Sequence, residues 1–398
     1  MAQHTSLRNL FLSHVAQTSP SPPMLEVASA EGIYIKDIYG KTYIDFISGI
    51  AVSNSGHRHP KVVEAIKYQA DKYLHVMVYG EFIQSPQVLL AQAIIDCLPK
   101  SFGSVYFVNS GSEASEGAMK LAKRFTGRRK MIAFRNAYHG STQGALSLMG
   151  GDYFKTGYGP LLPDVEILDY NSFSDLERID KETACVFAES IQGEAGALPP
   201  SSLWIQQLAT RCKEVGALLV LDEIQSGFGR TGKFFAFEHF GVVPDIVLMA
   251  KGMGGGLPIG AFAASAEIMS CLSHTPVLGH ITTFGGNALT AAAAHANLKV
   301  LLDEGYIEAV ATKEQLIRET LTADGIIGIR GKGLMLALEF DSNERVLKIM
   351  ERCYEKGLIT DWFLFADNCL RIAPPLIITE AQIQEACRMI NEAVEESV

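Results

Sequence analysis

Five near-continuous apolar runs of strand length occupy the middle of this chain: 104–108 (SVYFV), 130–134 (KMIAF), 184–188 (ACVFA), 217–221 (ALLVL) and 246–250 (IVLMA). Apolar runs without polar alternation suit strands buried on both faces, as parallel strands are when helices cover the sheet. Helical patterns fall between them, for example 111–124, with Ala114, Ala118, Leu121 and Ala122 on one face. This order predicts an α/β fold built on a mainly parallel central sheet. Ahead of it, 33–46 (IYIKDIYGKTYIDF) alternates around an Asp-Ile-Tyr-Gly turn and predicts a β-hairpin. From about residue 287 the chain turns helix-rich, then returns to strands near 333–340 and 369–372. Three parts are expected: residues 1–45 as an N-terminal segment packing with the small domain, 46–290 as a large ligand-binding domain, and 291–398 as a smaller α+β domain.

Composition narrows the partners. With 34 Lys+Arg against 44 Asp+Glu the net charge is −10, which argues against binding a phosphate backbone and leaves room for a local anion pocket. The seven cysteines are scattered and form no CxxC pair, so neither a disulfide framework nor a metal site is expected. Residues 1–20 lack the apolar core of a secretory signal, and no uncharged apolar stretch is long enough to span a membrane. No nucleic-acid or membrane partner is expected, and the expected location is cytoplasmic. The longest apolar patch, 252–264, is glycine-rich, opens on Lys251 and reads as a site loop.

Chemistry-bearing residues collect where the buried runs end, and in open α/β sheets ligands gather at the carboxyl ends of strands. After 104–108 come Asn109, Ser110, Gly111, Ser112 and Glu113 at the start of a helix. The free N–H groups of Gly111 and Ser112 and the helix dipole could cradle a phosphate, although capping by Ser110 would explain the same pattern. After the fourth run stands Asp222, a carboxylate costly to bury unless a cation or donors meet it. After the fifth stands Lys251, whose amine, if desolvated, becomes a nucleophile toward a carbonyl. Each has an ordinary structural explanation when taken singly. Together, an anion cradle, a carboxylate and a desolvated lysine are what pyridoxal 5′-phosphate requires.

At this point the sequence resembles the class III (ω-type) aminotransferases of pyridoxal-phosphate fold type I, nearest in length and motifs to the acetylornithine/ornithine aminotransferase group. The matching stretches are GHRHP (56–60), NSGSEA (109–114), AYHG (137–140), IQGE (191–194), LDEIQSGFGRTG (221–232), AKGMGGGLPIG (250–260), TTFGGN (282–287), RGKGL (330–334) and RIAPPL (371–376). The resemblance implies that Lys251 is the Schiff-base lysine and proton shuttle and that Asp222 pairs with the pyridinium nitrogen. It places Gln225 at the ring hydroxyl, with Ile224 and Tyr138 on the two ring faces. Gly111 and Ser112 would hold the phosphate, joined by Thr283 from the second subunit of a homodimer with shared active sites. Arg371 would clamp a substrate carboxylate and Glu194 would pair with it between substrates, with Ser141 and Thr282 also on the substrate side. His139 would sit beside the cofactor without a required task, and His57 and His59 suit a turn rather than a metal.

The implied reaction moves an amino group from an amine or ω-amino acid to a 2-oxo acid such as 2-oxoglutarate or pyruvate, by a ping-pong cycle. The alternatives are an aminomutase of the glutamate-1-semialdehyde type or a pyridoxal-phosphate-binding protein with little turnover. Four positions depart from the family pattern: Ser190 for Pro, Ser226 for Thr, Ile281 for Gly, and Ser141 where acetylornithine and ornithine aminotransferases carry an Arg. A serine cannot replace a guanidinium fork, so an amino donor other than acetylornithine is expected.

Overall fold

All five apolar runs become strands of one seven-stranded sheet. In the computed structural model, which describes residues 6–397, the strand order is Ser104–Val108, Gly260–Ala264, Ile246–Met249, Leu218–Asp222, Thr183–Glu189, Lys130–Phe134 and Val165–Leu168. Residues 1–5, the start of the expected N-terminal segment, and residue 398 lie outside the described residues. The last five strands in that order pair in parallel, while Gly260–Ala264 runs antiparallel to both its neighbours. That strand corrects the reading of 252–264 as a site loop. Only its first part turns through glycines, and its apolar end is buried throughout as a strand.

Burial explains the unbroken apolar runs. Along Leu218–Asp222, Leu219 and Leu221 join one core cluster while Leu218 and Val220 join another on the opposite face. Ile246–Met249 splits in the same way, with Val247 and Met249 on one side and Ile246 and Leu248 on the other. Period-two geometry sends successive side chains to opposite faces, and both faces are covered, so these interior positions are apolar on either side. The helix Gly111–Thr126 covers one face, burying Ala114, Ala118, Leu121 and Ala122 as its spacing predicts, and ends at Gly127 in the left-handed conformation.

Two smaller sheets flank this core. The predicted hairpin forms from Tyr34–Asp37 and Thr42–Asp45, and the short strand Leu358–Ile359 pairs in parallel with its second arm. Met335–Glu339 pairs with Gly328–Lys332 and Ala366–Ile372, and the latter also pairs with Asp361–Phe363.

Arg230 fastens these parts together. It is fully buried, and its guanidinium donates to the carbonyls of Leu334 (3.0 Å) and Pro374 and to Ser48 Oγ (3.2 Å) and Asn54 Oδ1. One side chain thereby binds the N-terminal loop, a strand-flanking turn and the C-terminal segment. Burial lowers its pKa to about 9 although Asp45 opposes the shift. Removing the donors would strand buried acceptors, each costing about 1–3 kcal/mol. Arg230→Leu is therefore expected to lose about 3 kcal/mol or more of stability, measured by urea unfolding followed through tryptophan fluorescence. A midpoint unchanged from the parent protein would contradict this role.

Candidate active site

Strand Ile246–Met249 delivers Lys251 into a cavity of about 430 Å³ at the carboxyl ends of the parallel strands. Lys251 has φ of +45°, a left-handed conformation that a side-chain-bearing residue adopts only where its surroundings enforce it. Asn54 and Asn297 help to enforce it. A Cβ on Gly252 would lie 2.6 Å from Asn54 Nδ2, and Asn297 Nδ2 donates to Gly252 O at 2.8 Å. Burial lowers the Lys251 pKa, with Glu194 and Asp222 opposing and Arg371 adding to the shift. Burial thus makes this amine easier to deprotonate than an exposed lysine.

Across the same cavity stands Asp222, the last residue of its strand and buried. Its Oδ1 accepts from Ile224 N at 2.9 Å, and its Oδ2 lies 2.7 Å from His139 Nδ1. The imidazole is fully withdrawn from water. Burial opposes its protonation, yet the hydrogen bond and charge of Asp222 prevail and raise its pKa. Parallel register sets Glu189 directly beside Asp222. Burial pushes Glu189 up to about 7, and the nearby Asp222 adds to this, while His139 and the N–H groups of Gly193 and Tyr138 pull it down.

One end of the cavity is formed by the start of helix Gly111–Thr126. Ser110 caps it, accepting from Glu113 N at 3.2 Å, as the capping reading expects, and Gly111 and Ser112 line the cavity beside it. Glu113 Oε2 in turn accepts from Asn109 N (2.7 Å) and Nδ2 (2.8 Å). Close packing excludes larger residues: a Cβ on Gly111 would lie 2.9 Å from Ile224 Cδ1, and one on Gly140 would lie 2.1 Å from Ser112 Oγ. Tyr138, Ile224 and Gln225 line the same space. At its rim the exposed Ser141 lies 3.0 Å from the Tyr138 hydroxyl and donates its N–H to Ser112 Oγ at 3.2 Å.

Arg371 and Glu194 form a buried ion pair at 2.8 Å, reached from strand Ala366–Ile372 on one side and the turn after Thr183–Glu189 on the other. Arg371 also donates to Trp362 O at 3.1 Å and lies over the Phe363 ring at 4.2 Å. Its Nε is buried with no partner. Burial raises the Glu194 carboxyl, but Arg371 outweighs it and holds the pKa below the ordinary value.

Not every expected residue reaches this cavity. Thr283 is exposed and Thr282 lines a separate cavity of about 630 Å³ with Tyr79, Glu81, Tyr106 and His280. Thr282 Oγ1 does accept from Asn109 Nδ2 at 2.9 Å, which links the two cavities. His57 pairs with Asp45 at 2.8 Å and His59 with Glu304 at 3.6 Å, each tying its turn to a neighbour. Sequence reasoning gave Glu189, Asn109 and Val52 no role and His139 no task, yet all four line the site. His139 could have been found from Asp222, because a buried carboxylate demands a donor. Ser190 and Ser226 both donate to the buried Glu223, as do the N–H groups of Ala236 (2.8 Å) and Phe237 (2.9 Å). These bonds fix the loop that follows Asp222, and burial still pushes Glu223 up to about 7.

The residues present fit pyridoxal phosphate. A desolvated amine faces a carboxylate backed by an imidazole, and the helix start beside them is so closely packed that a Cβ at Gly111 would not fit. The family profile described as Aminotransferase class-III matches residues 15–394. An acetylornithine aminotransferase of Bacillus subtilis (strain 168) is 41% identical over 377 residues, covering 93% of this chain and 95% of the relative. One from Methanopyrus kandleri is 39% identical, covering 92% and 93%. Among solved structures, an ornithine aminotransferase of Toxoplasma gondii with pyridoxal phosphate at partial occupancy in its active site superposes with a TM-score of 0.90 at 30% identity, covering 97% of this chain and 93% of that one. An adenosylmethionine-8-amino-7-oxononanoate aminotransferase of Methanocaldococcus jannaschii gives 0.91 at 30% identity, covering 98% of each chain.

The raised pKa of Glu189 has a measurable consequence. Between its ordinary value of 4.5 and about 7 the folded protein holds a proton that the unfolded chain has released. Its contribution to stability therefore falls as pH rises through that window and levels off above it. Glu189→Gln should remove this component, so the variant-minus-parent difference in urea midpoint should shift in the variant's favour from pH 4.5 to 7.5. Parallel pH profiles for the two proteins would show that Glu189 is ionised throughout.

Proposed function

The chain belongs to the class III aminotransferases, enzymes that depend on pyridoxal phosphate, and we propose that it passes an amino group from an amine or ω-amino acid to a 2-oxo acid through one pocket used in alternation. The observation that carries this reading is the meeting of the Lys251 amine and the His139-backed Asp222 carboxylate across a single cavity. When bound, the cofactor supplies an electron sink that lets the carbon bearing the amino group lose a proton.

The chain's own residues supply the rest. Lys251 Nζ, whose pKa burial lowers, would hold the cofactor and would be the group that moves the proton at the carbon bearing the amino group. Asp222 would meet the ring nitrogen, and His139 fixes the orientation of that carboxylate through Nδ1. The N–H groups of Gly111 and Ser112 would take the phosphate, Ile224 and Tyr138 would flank the ring, and Gln225 would meet its hydroxyl, all five residues lining the cavity. Arg371 binds the substrate carboxylate in place of Glu194, and the return of Glu194 spares the empty site a buried unpaired guanidinium.

We assign these tasks to a large domain over 46–290, with 291–398 and the N-terminal segment 1–45 forming the smaller one. The functional unit is a homodimer. Exposed apolar residues in two neighbouring segments, including Leu74, Phe82, Ile83, Val277 and Phe284, support a second copy there. His75 and Phe284 bring the segments together with ring centroids 4.8 Å apart. Such a copy would carry Thr283 and Thr282 to its partner's site. No helix among the described residues is long and apolar enough to cross a membrane, and we place the enzyme in the cytoplasm.

Ser141 separates this chain from acetylornithine as a donor, because an uncharged hydroxyl stands where the resemblance expects a guanidinium to bind a substrate carboxylate. A donor screen should accordingly show weak turnover of N-acetylornithine, and strong selective turnover would overturn that assignment. Lys251→Ala should lose about a thousand-fold or more of its amino-transfer activity while still retaining some cofactor through the phosphate cradle. Near-parental turnover in this variant would remove the basis of the mechanism.

A further inference from the structure

Away from the catalytic cavity, the far half of helix Gly111–Thr126 gathers positive charge. Lys123 and Arg124 follow Lys120 by three and four residues, so all three stand on one side of the helix. With Leu272, Gly279 and His280 they line a cavity of about 380 Å³. Lys120 lies about 14 Å along the helix from Gly111, whose end frames the catalytic cavity. Like charges at this spacing repel, and acids are plentiful in the chain, with 44 Asp+Glu against 34 Lys+Arg. Yet none of the three cations forms an ion pair among the described residues. The acids of the same helix are committed elsewhere. Glu113 accepts from Asn109, and Glu116 accepts from Thr142 Oγ1 (2.6 Å) and the N–H groups of Gly144 (2.9 Å) and Ala145 (3.1 Å).

What the cations do touch is uncharged. Lys120 Nζ donates to Gly279 O at 3.2 Å and lies 3.0 Å from His280 Nδ1, and Arg124 donates to Cys271 O at 3.1 Å. An ammonium group can only donate, so Nδ1 accepts and the imidazole proton sits on Nε2, which is buried without a partner. Burial and Lys120 lower the His280 pKa against the pull of Glu113 and Glu116, so the ring adds no charge near neutral pH. A Cβ on Gly279 would lie 3.0 Å from both terminal nitrogens of Arg124, so the glycine gives the guanidinium its place against the loop. Lys123 is half-buried and its side chain has no hydrogen-bond partner among the described residues. Cations in the last turn offset the helix dipole, but that effect calls for neither a third cation nor a cavity.

We propose that this cavity is a binding site for a diphosphate-type oxyanion, either the free ion or the head of a phosphate ester. Three converging cations exceed what one carboxylate can neutralise, and phosphate oxygens accept from ammonium and guanidinium groups alike. A bound polyanion would relieve the repulsion along the helix and tie its far half to the segment 271–280. The site would fill whatever substrates the catalytic cavity takes.

The test uses the holoenzyme, in which pyridoxal phosphate occupies the cradle at Gly111 and removes it as a rival site. Inorganic diphosphate and ADP are titrated separately by calorimetry at fixed ionic strength. Saturable binding is expected, weakened about tenfold or more in the double variant Lys123→Gln, Arg124→Gln, because a charge-assisted contact is worth about tenfold or more in affinity. Lys123→Glu alone, which leaves the Arg124 contact with the loop in place, should weaken it by at least as much. Cofactor absorbance in each variant should match the parent and so report an intact fold. Tighter binding of ADP assigns the site to an ester and tighter binding of diphosphate to the free ion, and either supports the proposal. No saturable binding of either probe up to about 10 mM, or equal affinity in the parent and both variants, overturns it.

Discussion

The structure turns on how charge is balanced in one dry corner of the sheet. Parallel strands Thr183–Glu189 and Leu218–Asp222 end in register, so two carboxylates stand side by side where water is excluded. Neither could persist as an isolated buried anion. His139 meets Asp222, backbone N–H groups of Tyr138 and Gly193 meet Glu189, and the lysine amine lies near both. Glu194 and Arg371 settle their own charges as a pair. Each of these groups has a neighbour of opposite charge or a hydrogen-bond donor beside it.

Holding these groups in place falls to loops rather than strands, and two buried side chains organise the loops. Glu223 collects four donors and fixes the stretch between Asp222 and the short helical turn Ala236–Phe240. Arg230, within that stretch, reaches carbonyls and side chains far away in sequence. The strain at Lys251 can be borne because Gly252 and Met253 are gripped by Asn297 from helix Ala288–Asp303. Packing from outside the active-site motif therefore sustains the backbone that presents Lys251.

Much of this was readable in advance, for reasons that differ by element. The strands announced themselves because burial on two faces leaves no polar alternation, and Lys251 and Asp222 stood out as charged residues at the ends of apolar runs. Ser190 and Ser226 looked like minor departures, since nothing local reveals that both hydroxyls converge on Glu223. Glu189 was hidden by the same logic: its neighbour Asp222 lies 33 residues on, and only strand register makes them adjacent. The strand Gly260–Ala264 was obscured by the glycines before it, which gave the whole stretch the look of a loop. Thr283 lies exposed, outside its own chain's cavity, and the task proposed for it depends on a second copy.

The parallel pairing of Leu358–Ile359 with Thr42–Asp45 has a consequence for biosynthesis. The hairpin leaves the ribosome early, but the strand that completes its sheet is made more than three hundred residues later. Throughout that interval the arm Thr42–Asp45 presents an open edge of unpaired backbone groups, a surface prone to mispairing with other nascent chains. Closure of that sheet is a late, long-range event, so the guarding of one short edge during synthesis bears on the yield of active enzyme as directly as any residue in the pocket.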